Sequence, residues 1–302
     1  MGNIVNQLAF LPPTNNEWRA ELKEDEKLRQ IVTSSGKKIA ALWFEESGND
    51  YTILYSHGNA EDLTTSKQCF EQLAFTLCVN VLAYDYEGYG LSEGEPSEKA
   101  TYEDIEAAYC WLTKDKDGPK ISPSKIILFG RSLGSGPTIH LAAKEQELAG
   151  LILQSPLRTA IKTQVYHWVA GSVLRPADIF HNEKKIVNVT QCPVFIIHGK
   201  ADRVVPFSHG EYLYDQIKKN TKHEVRSYWV DDCGHNDIEL NKGEEYDAQL
   251  LKFVDECIRN KYKKNKNQND TELETETMAY FDVNDKIEEK IDNEQLTNLD
   301  ED

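Results

Sequence analysis

Six short strand-like runs, Tyr51–Tyr55, Val79–Tyr84, Ile126–Phe129, Leu151–Leu153, Val194–Ile197 and Val225–Val230, constrain this chain more than any other feature of its sequence. Most are continuously apolar rather than alternating, as expected of strands buried on both faces. Segments of helical spacing separate several of them. Leu63, Phe70, Leu73, Ala74 and Leu77 lie near one helical face. Ile105, Ala108, Tyr109 and Leu112 fall at i, i+3, i+4 and i+7, with Ser97 placed to start that helix. A further helix is expected around Gly210 to Lys218. This alternation predicts an α/β domain with a mostly parallel central sheet and helices on both faces. Strand-like runs between Ile31 and Ile53, split by the turn clusters Ser34-Ser35-Gly36 and Ser47-Gly48-Asn49-Asp50, precede it. At 302 residues the chain has room for one such domain with a sizeable core.

The flanks and one internal segment break the pattern. Residues 1–20 read as a short apolar arm, Leu8-Ala9-Phe10-Leu11, stopped by Pro12-Pro13. The domain is expected over residues 21–262. Within it, residues from about 155 to 191 interrupt the alternation at the end of the sheet where ligands bind, and predict a small helical cap; its Trp168 and Phe180 are candidates for lining a substrate pocket. Residues 263–302 are acidic and poor in apolar side chains, a composition that does not offset the entropy of ordering, so this tail is expected to be disordered. Thirteen Asp/Glu and two Lys between Asp270 and Asp302 carry −11 of the formal net charge of −17. The body is thus only mildly acidic, and the overall acidic balance argues against nucleic acid, whose phosphates demand clustered Lys and Arg. Six scattered cysteines without a C-x-x-C pair give neither a disulfide framework nor a zinc site. No secretory h-region opens the sequence and no run is long enough for a membrane span, so a cytoplasmic protein with, at most, peripheral membrane contact is expected.

The chemistry concentrates at Gly130-Arg131-Ser132-Leu133-Gly134, between a predicted buried strand and a helix-like run, Thr138–Ala143. A Gly-x-Ser-x-Gly in that setting is a nucleophile elbow: a tight turn that exposes the serine hydroxyl while small neighbours let strand and helix approach. A serine needs an imidazole base, and the base needs a carboxylate to fix its tautomer. On such a sheet they follow in the order Ser, acid, His. Of the histidines beyond Val194, His209 precedes a helix and His223 begins a strand; His235 alone lies in a loop after the last strand. Asp202 follows the strand ending at Ile197, whereas the corresponding position after Leu153 offers Gln154-Ser155-Pro156 and no carboxylate. Ser132, Asp202 and His235 are therefore the candidate triad. The backbone N–H groups of Leu133 and Asn59, the latter in His57-Gly58-Asn59 after an early strand, are the candidate oxyanion donors. His57 and Asp85 read as braces of their own loops rather than reacting groups.

These blocks, together with Tyr84-Asp85-Tyr86-Glu87-Gly88-Tyr89-Gly90, Ser155-Pro156-Leu157, Phe207-Ser208-His209-Gly210 and Gly234-His235-Asn236-Asp237, resemble the α/β-hydrolase superfamily. More narrowly, from about Phe10 to Arg259 the chain resembles the α/β-hydrolase-domain-containing protein 17 family within the wider Bem46-like group. The resemblance implies an α/β-hydrolase fold and a serine hydrolase that removes palmitoyl groups from cysteines of membrane-associated proteins, without metal or organic cofactor. It places the same three triad residues at Ser132, Asp202 and His235. One departure stands out. Animal members carry an acylated N-terminal cysteine cluster, and here no cysteine precedes Cys69. Gly2, in Met1-Gly2-Asn3-Ile4-Val5-Asn6, is instead a candidate for N-myristoylation, although Asn6 stands where Ser or Thr is preferred. The expected substrates are S-acylated proteins or acyl esters. A carboxylesterase or lipase with the same triad, and a non-catalytic hydrolase-like binding protein, remain open alternatives at the level of sequence. Oligomeric state is not encoded in any of these features.

Overall fold

Residues 9–14, 17–46, 51–160 and 178–266 are described by the computed structural model of the chain. Among them eight strands, β1 (Leu28–Val32), β2 (Lys38–Phe44), β3 (Thr52–Ser56), β4 (Asn80–Tyr84), β5 (Ile126–Arg131), β6 (Gly150–Gln154), β7 (Val194–Gly199) and β8 (Val225–Val230), form one sheet in the order β1-β2-β4-β3-β5-β6-β7-β8. The first two join antiparallel and the remaining strands run parallel. Gly36, at φ +80°, turns the β1–β2 hairpin in a conformation that L side chains rarely adopt. The register pairs Ser56 with Gly130, Arg131 with Gln154, and Gly199 with Val230. The carboxyl ends of β3, β5 and β7 thereby share one edge, where ligands of parallel sheets bind.

Seven helices are described: α1 (Glu17–Lys23), α2 (Leu63–Leu77), α3 (Glu98–Thr113), α4 (Ser135–Ala142), α5 (Asn182–Lys185), α6 (Ser208–Asn220) and α7 (Ile238–Lys266). Two apolar clusters lie on opposite faces of the sheet. Leu54, Leu82, Leu128, Leu153 and Ile196 pack with α3, α4 and α6 through Ile105, Leu112, Ile139, Leu213 and Ile217. Their strand neighbours Ile53, Val81, Ile127, Ile152 and Ile197 point the other way and pack with α2 and α7 through Phe70, Leu77, Leu250 and Phe253. Continuous apolar strands are the direct result, because successive side chains serve alternate layers.

Local chemistry sets the helix starts. Asp62 caps α2 in a reciprocal capping box with Thr65, and the Ser97 hydroxyl accepts the Ala100 N–H at the start of α3. Packing begins before residue 21: Phe10 is buried and α1 spans that position. The sequence around Cys257, after β8, reads as helix-like without defined bounds; there α7 covers the sheet with Leu250, Phe253, Val254 and Cys257, at i, i+3, i+4 and i+7. Of the expected cap, residues 155–160 and 178–191 are described and include α5 and a 3-10 turn at Ile186–Asn188. Residues 161–177, Gly2 and the acidic tail beyond 266 lie outside the described residues. No helix among the described residues is long and apolar enough to cross a membrane.

One buried carboxyl makes the fold sensitive to pH. Asp104 of α3 is fully buried; its Oδ2 accepts the Glu87 N–H at 2.9 Å, while Oδ1 has no partner. Burial, followed by repulsion from Glu87 and Glu103 and opposed by the Glu87 N–H, pushes its pKa up to about 8. A carboxyl whose folded pKa is raised binds its proton more tightly in the native state. Its contribution is complete below the unfolded pKa and declines as pH rises towards the folded value. Urea unfolding at about pH 5 and about pH 8 should therefore show a smaller loss of stability for Asp104→Asn than for the wild type. Equal losses would show that Asp104 does not titrate across that interval.

Candidate active site

Ser132 stands at the junction of β5 and a 3-10 turn, Ser132–Gly134, that leads into α4. Its φ of +51° is strained for a residue with a Cβ, the backbone signature of the sharp turn expected there. The flanking glycines are required by contact. A Cβ on Gly130 would lie 2.6 Å from Thr138 Oγ1 and 2.8 Å from the Gly134 carbonyl oxygen, and one on Gly134 would overlap the Ser56 carbonyl. Strand β3 and the elbow thus touch backbone to backbone.

Asp202 and His235 come from loops after β7 and β8. The Asp202 carboxylate is anchored on both oxygens: Oδ1 accepts the N–H groups of Val204 and Val205, each at 2.8 Å, and Oδ2 lies 2.7 Å from His235 Nδ1. His235 Nε2 lies 2.9 Å from Ser132 Oγ. The three side chains singled out from the sequence are therefore in one hydrogen-bonded line. Burial would raise the Asp202 pKa, but contacts with His198 and His235 and the Val205 N–H outweigh it and hold the carboxyl well below the usual carboxylate range. An ionised Asp202 accepts from Nδ1–H, which leaves Nε2 as the acceptor facing the Ser132 hydroxyl. Asp237 acts on the same loop, its Oδ1 accepting the Gly234 N–H at 2.6 Å.

His57 and Asp85 lie beneath the β3 loop. His57 Nδ1 is 2.8 Å from the Gly58 carbonyl and its Nε2 is 3.4 Å from Asp85 Oδ1, which also accepts the Leu63 N–H at 2.9 Å. Both are fully buried and fix loop positions. Ser132, Leu133 and Asn59 line a common cavity of about 490 Å³, within the roughly 300–1,000 Å³ of small-ligand sites. Ala9, Leu157, Ile179, Val204 and Phe180 make much of the remaining wall apolar. Phe180, at φ +55°, is buried against Gly136 of α4. Trp168, the other sequence candidate for this pocket, lies outside the described residues. A second hollow of about 740 Å³ between α2 and α7 shares Ala60, Glu61, Arg131 and Asn236 with the first but is not lined by Ser132.

Two residues here were not singled out as functional from the sequence. Arg131 pairs with Glu61, whose other oxygen accepts the Gly58 N–H at 3.0 Å, and donates to Asn236 Oδ1 at 2.8 Å. One guanidinium thereby joins the elbow, the β3 loop and the His235 loop. A charge beside the nucleophile was the available signal, but spacing alone does not name its partners. His198 lies 2.9 Å from the Val205 carbonyl and 3.4 Å from Asp202 Oδ2 through its Nε2. Its place at the end of a buried strand, four residues before the acid, was the corresponding sign.

Comparison with known proteins agrees with this architecture. A family model described as "Serine aminopeptidase, S33" matches residues 48–188. The human Alpha/beta hydrolase domain-containing protein 17B is 35% identical over 282 residues, covering 86% of this chain and 93% of its own length. This chain belongs to the α/β-hydrolase domain-containing protein 17 family. Within that family, the Xenopus tropicalis protein 17C is 40% identical over 216 residues, 70% of this chain and 64% of its own. Solved structures share the fold: an esterase of Pyrococcus furiosus superposes with a TM-score of 0.64 at 20% identity, covering 81% of this chain and 96% of that one. An α/β hydrolase from Vibrio vulnificus gives 0.64 at 19% identity, with 83% and 92% coverage. The chain is thus a hydrolase of the α/β-hydrolase fold.

The backbone contact at the elbow leads to a quantitative expectation. Gly134→Ala must push β3 and the elbow apart, because the clashing atom is a backbone oxygen rather than a mobile side chain. Chemical denaturation should show a loss of about 3 kcal/mol or more. A change below about 1 kcal/mol would mean that the turn opens without cost.

Proposed function

We propose that this member of the family is a serine hydrolase that cleaves acyl thioesters, with palmitoylated cysteines of membrane-associated proteins as the substrate class. The observation that carries the proposal is the line Ser132 Oγ, His235 Nε2 at 2.9 Å, His235 Nδ1, Asp202 Oδ2 at 2.7 Å, at the wall of a largely apolar cavity. The choice of thioester over oxygen ester is supported by the family resemblance, since both esters pass through the same kind of tetrahedral intermediate. In this reading Ser132 Oγ attacks the carbonyl carbon and His235 Nε2 takes the hydroxyl proton. The N–H groups of Leu133 and Asn59 hold the oxyanion. Collapse breaks the C–S bond and the departing sulfur takes the proton from His235. Water, deprotonated by the same imidazole, then attacks the acyl-serine; the acid leaves and Ser132 recovers its proton. Asp202 fixes the ring and stabilises the imidazolium.

A fluorophosphonate probe should label the wild-type protein and not Ser132→Ala. Asp202→Asn, which removes the acceptor that sets the His235 tautomer, should lower kcat by about 10⁴-fold while the protein stays folded. Release of palmitate from an S-acylated peptide should exceed release from its oxygen-ester counterpart. The reverse preference would convert the assignment to a carboxylesterase, and absence of labelling would leave a binding protein.

A further inference from the structure

The segment around Phe10 meets the loop that carries a candidate oxyanion donor through the side chain of a single residue. Asn59 Nδ2 donates to the Ala9 carbonyl at 2.8 Å, and Asn59 Oδ1 accepts the Leu11 N–H at 2.9 Å. The amide thus pairs with the backbone on both sides of Phe10, as a neighbouring strand would. Tyr89 completes the clasp: its hydroxyl donates to Asn59 Oδ1 at 2.7 Å and lies 3.1 Å from the Leu11 nitrogen. Tyr89 is itself fully buried, so the clasp hangs from the core. Between the two amide bonds the Phe10 ring is buried and meets Phe180 edge to face, with centroids 6.0 Å apart. Ala9 and Leu11 line the same cavity as Ser132, with Leu11 52% exposed and therefore at its mouth.

We infer that residues 9–11 form a wall of the acyl site and that Asn59, by clasping them, sets the length of acyl chain the site accepts. The inference rests on the hydrolase reading above for the identity of the ligand, an unbranched acyl chain, and on the clasp for the identity of the wall. A chain held at Ser132 between Phe180 and the arm meets Leu11 on its way out. Each methylene kept out of water is worth about fourfold in affinity, so moving this wall by the length of two methylenes changes affinity more than tenfold. A bulkier residue at position 11 shortens the accepted chain. Loss of the clasp frees the wall and blurs the discrimination.

The test has two arms that fail separately. Binding of straight-chain carboxylates, from butanoate to hexadecanoate, is measured by calorimetry on the full-length protein. Hydrolysis of the matching acyl thioesters is measured in parallel. Leu11→Trp should lower the affinity for hexadecanoate relative to butanoate by about tenfold or more, and Leu11→Ala should move the ratio the other way. Chain-length discrimination should fall in the order wild type, Asn59→Asp, Asn59→Ala. The aspartate still accepts from Leu11 and Tyr89 but no longer donates to Ala9, so it restores part of the clasp. Thermal unfolding run alongside separates a freed wall from an unfolded protein, and the Leu11 variants test the wall even if Asn59→Ala does not fold. A length ratio unchanged within about twofold in both Leu11 variants would overturn the wall; equal discrimination in all three Asn59 proteins would overturn the clasp. If the ratios move as expected in binding but no thioester or ester is hydrolysed, the wall stands and the hydrolase reading falls. If hydrolysis occurs with a length profile that ignores position 11, the hydrolase reading stands and the wall falls.

Discussion

A carboxylate that cannot move and stays ionised is the condition on which the site is built. Two backbone N–H groups hold Oδ1 of Asp202, and its Oδ2 faces both His235 and His198. Burial opposes the charge, and the hydrogen bonds more than offset it. The tautomer of His235 follows from that charge, and the direction in which the Ser132 proton can travel follows from the tautomer. The rest of the architecture brings this carboxylate, an imidazole and a strained serine to one edge and prevents them from drifting.

That restraint is distributed among loops rather than strands. The parallel core sets where β3, β5 and β7 end, but the loops leaving those ends could adopt many paths. Arg131 removes much of that freedom by bonding Glu61 and Asn236 at once, and Asn59 removes more by taking hold of the N-terminal segment. Behind them, Tyr246 and Glu239 of α7 bond the Gln154 side chain at the end of β6, so the last helix is tied to the same edge. Pre-organisation of this kind lowers the reorganisation needed when charge develops in a cavity with apolar walls.

The layers and the three aligned side chains could be read from the sequence because each rests on a local rule. Runs such as Ile126–Phe129 and Val194–Ile197 are short, apolar and bounded by turn residues, and Ser132 and Asp202 each follow one, whereas His235 follows the half-exposed edge strand β8. Features that depend on distant contacts escaped. Arg131 is a charge in a turn until folding brings Glu61 and Asn236 beside it. The clasp on Ala9 and Leu11 joins residues about fifty positions apart, through an asparagine whose type suits countless loops. Helix α7 carried a readable apolar face, but its polar first turns and the non-helical Lys242 near its start obscured where it begins.

The line from Ser132 to His235 also joins residues 103 positions apart. Between them lie the cap segment, β6, β7 and β8, and the β3 loop that faces them is contributed from still farther upstream. The parts come from loops after β3, β5, β7 and β8, so no single hairpin or βαβ unit contains them. Loss of the site should then coincide with the cooperative collapse of the sheet rather than precede it, as it does in enzymes whose reacting groups sit on one mobile hairpin. On the proposed chemistry, the fraction of Ser132 that a serine-directed probe labels doubles as a count of assembled domains.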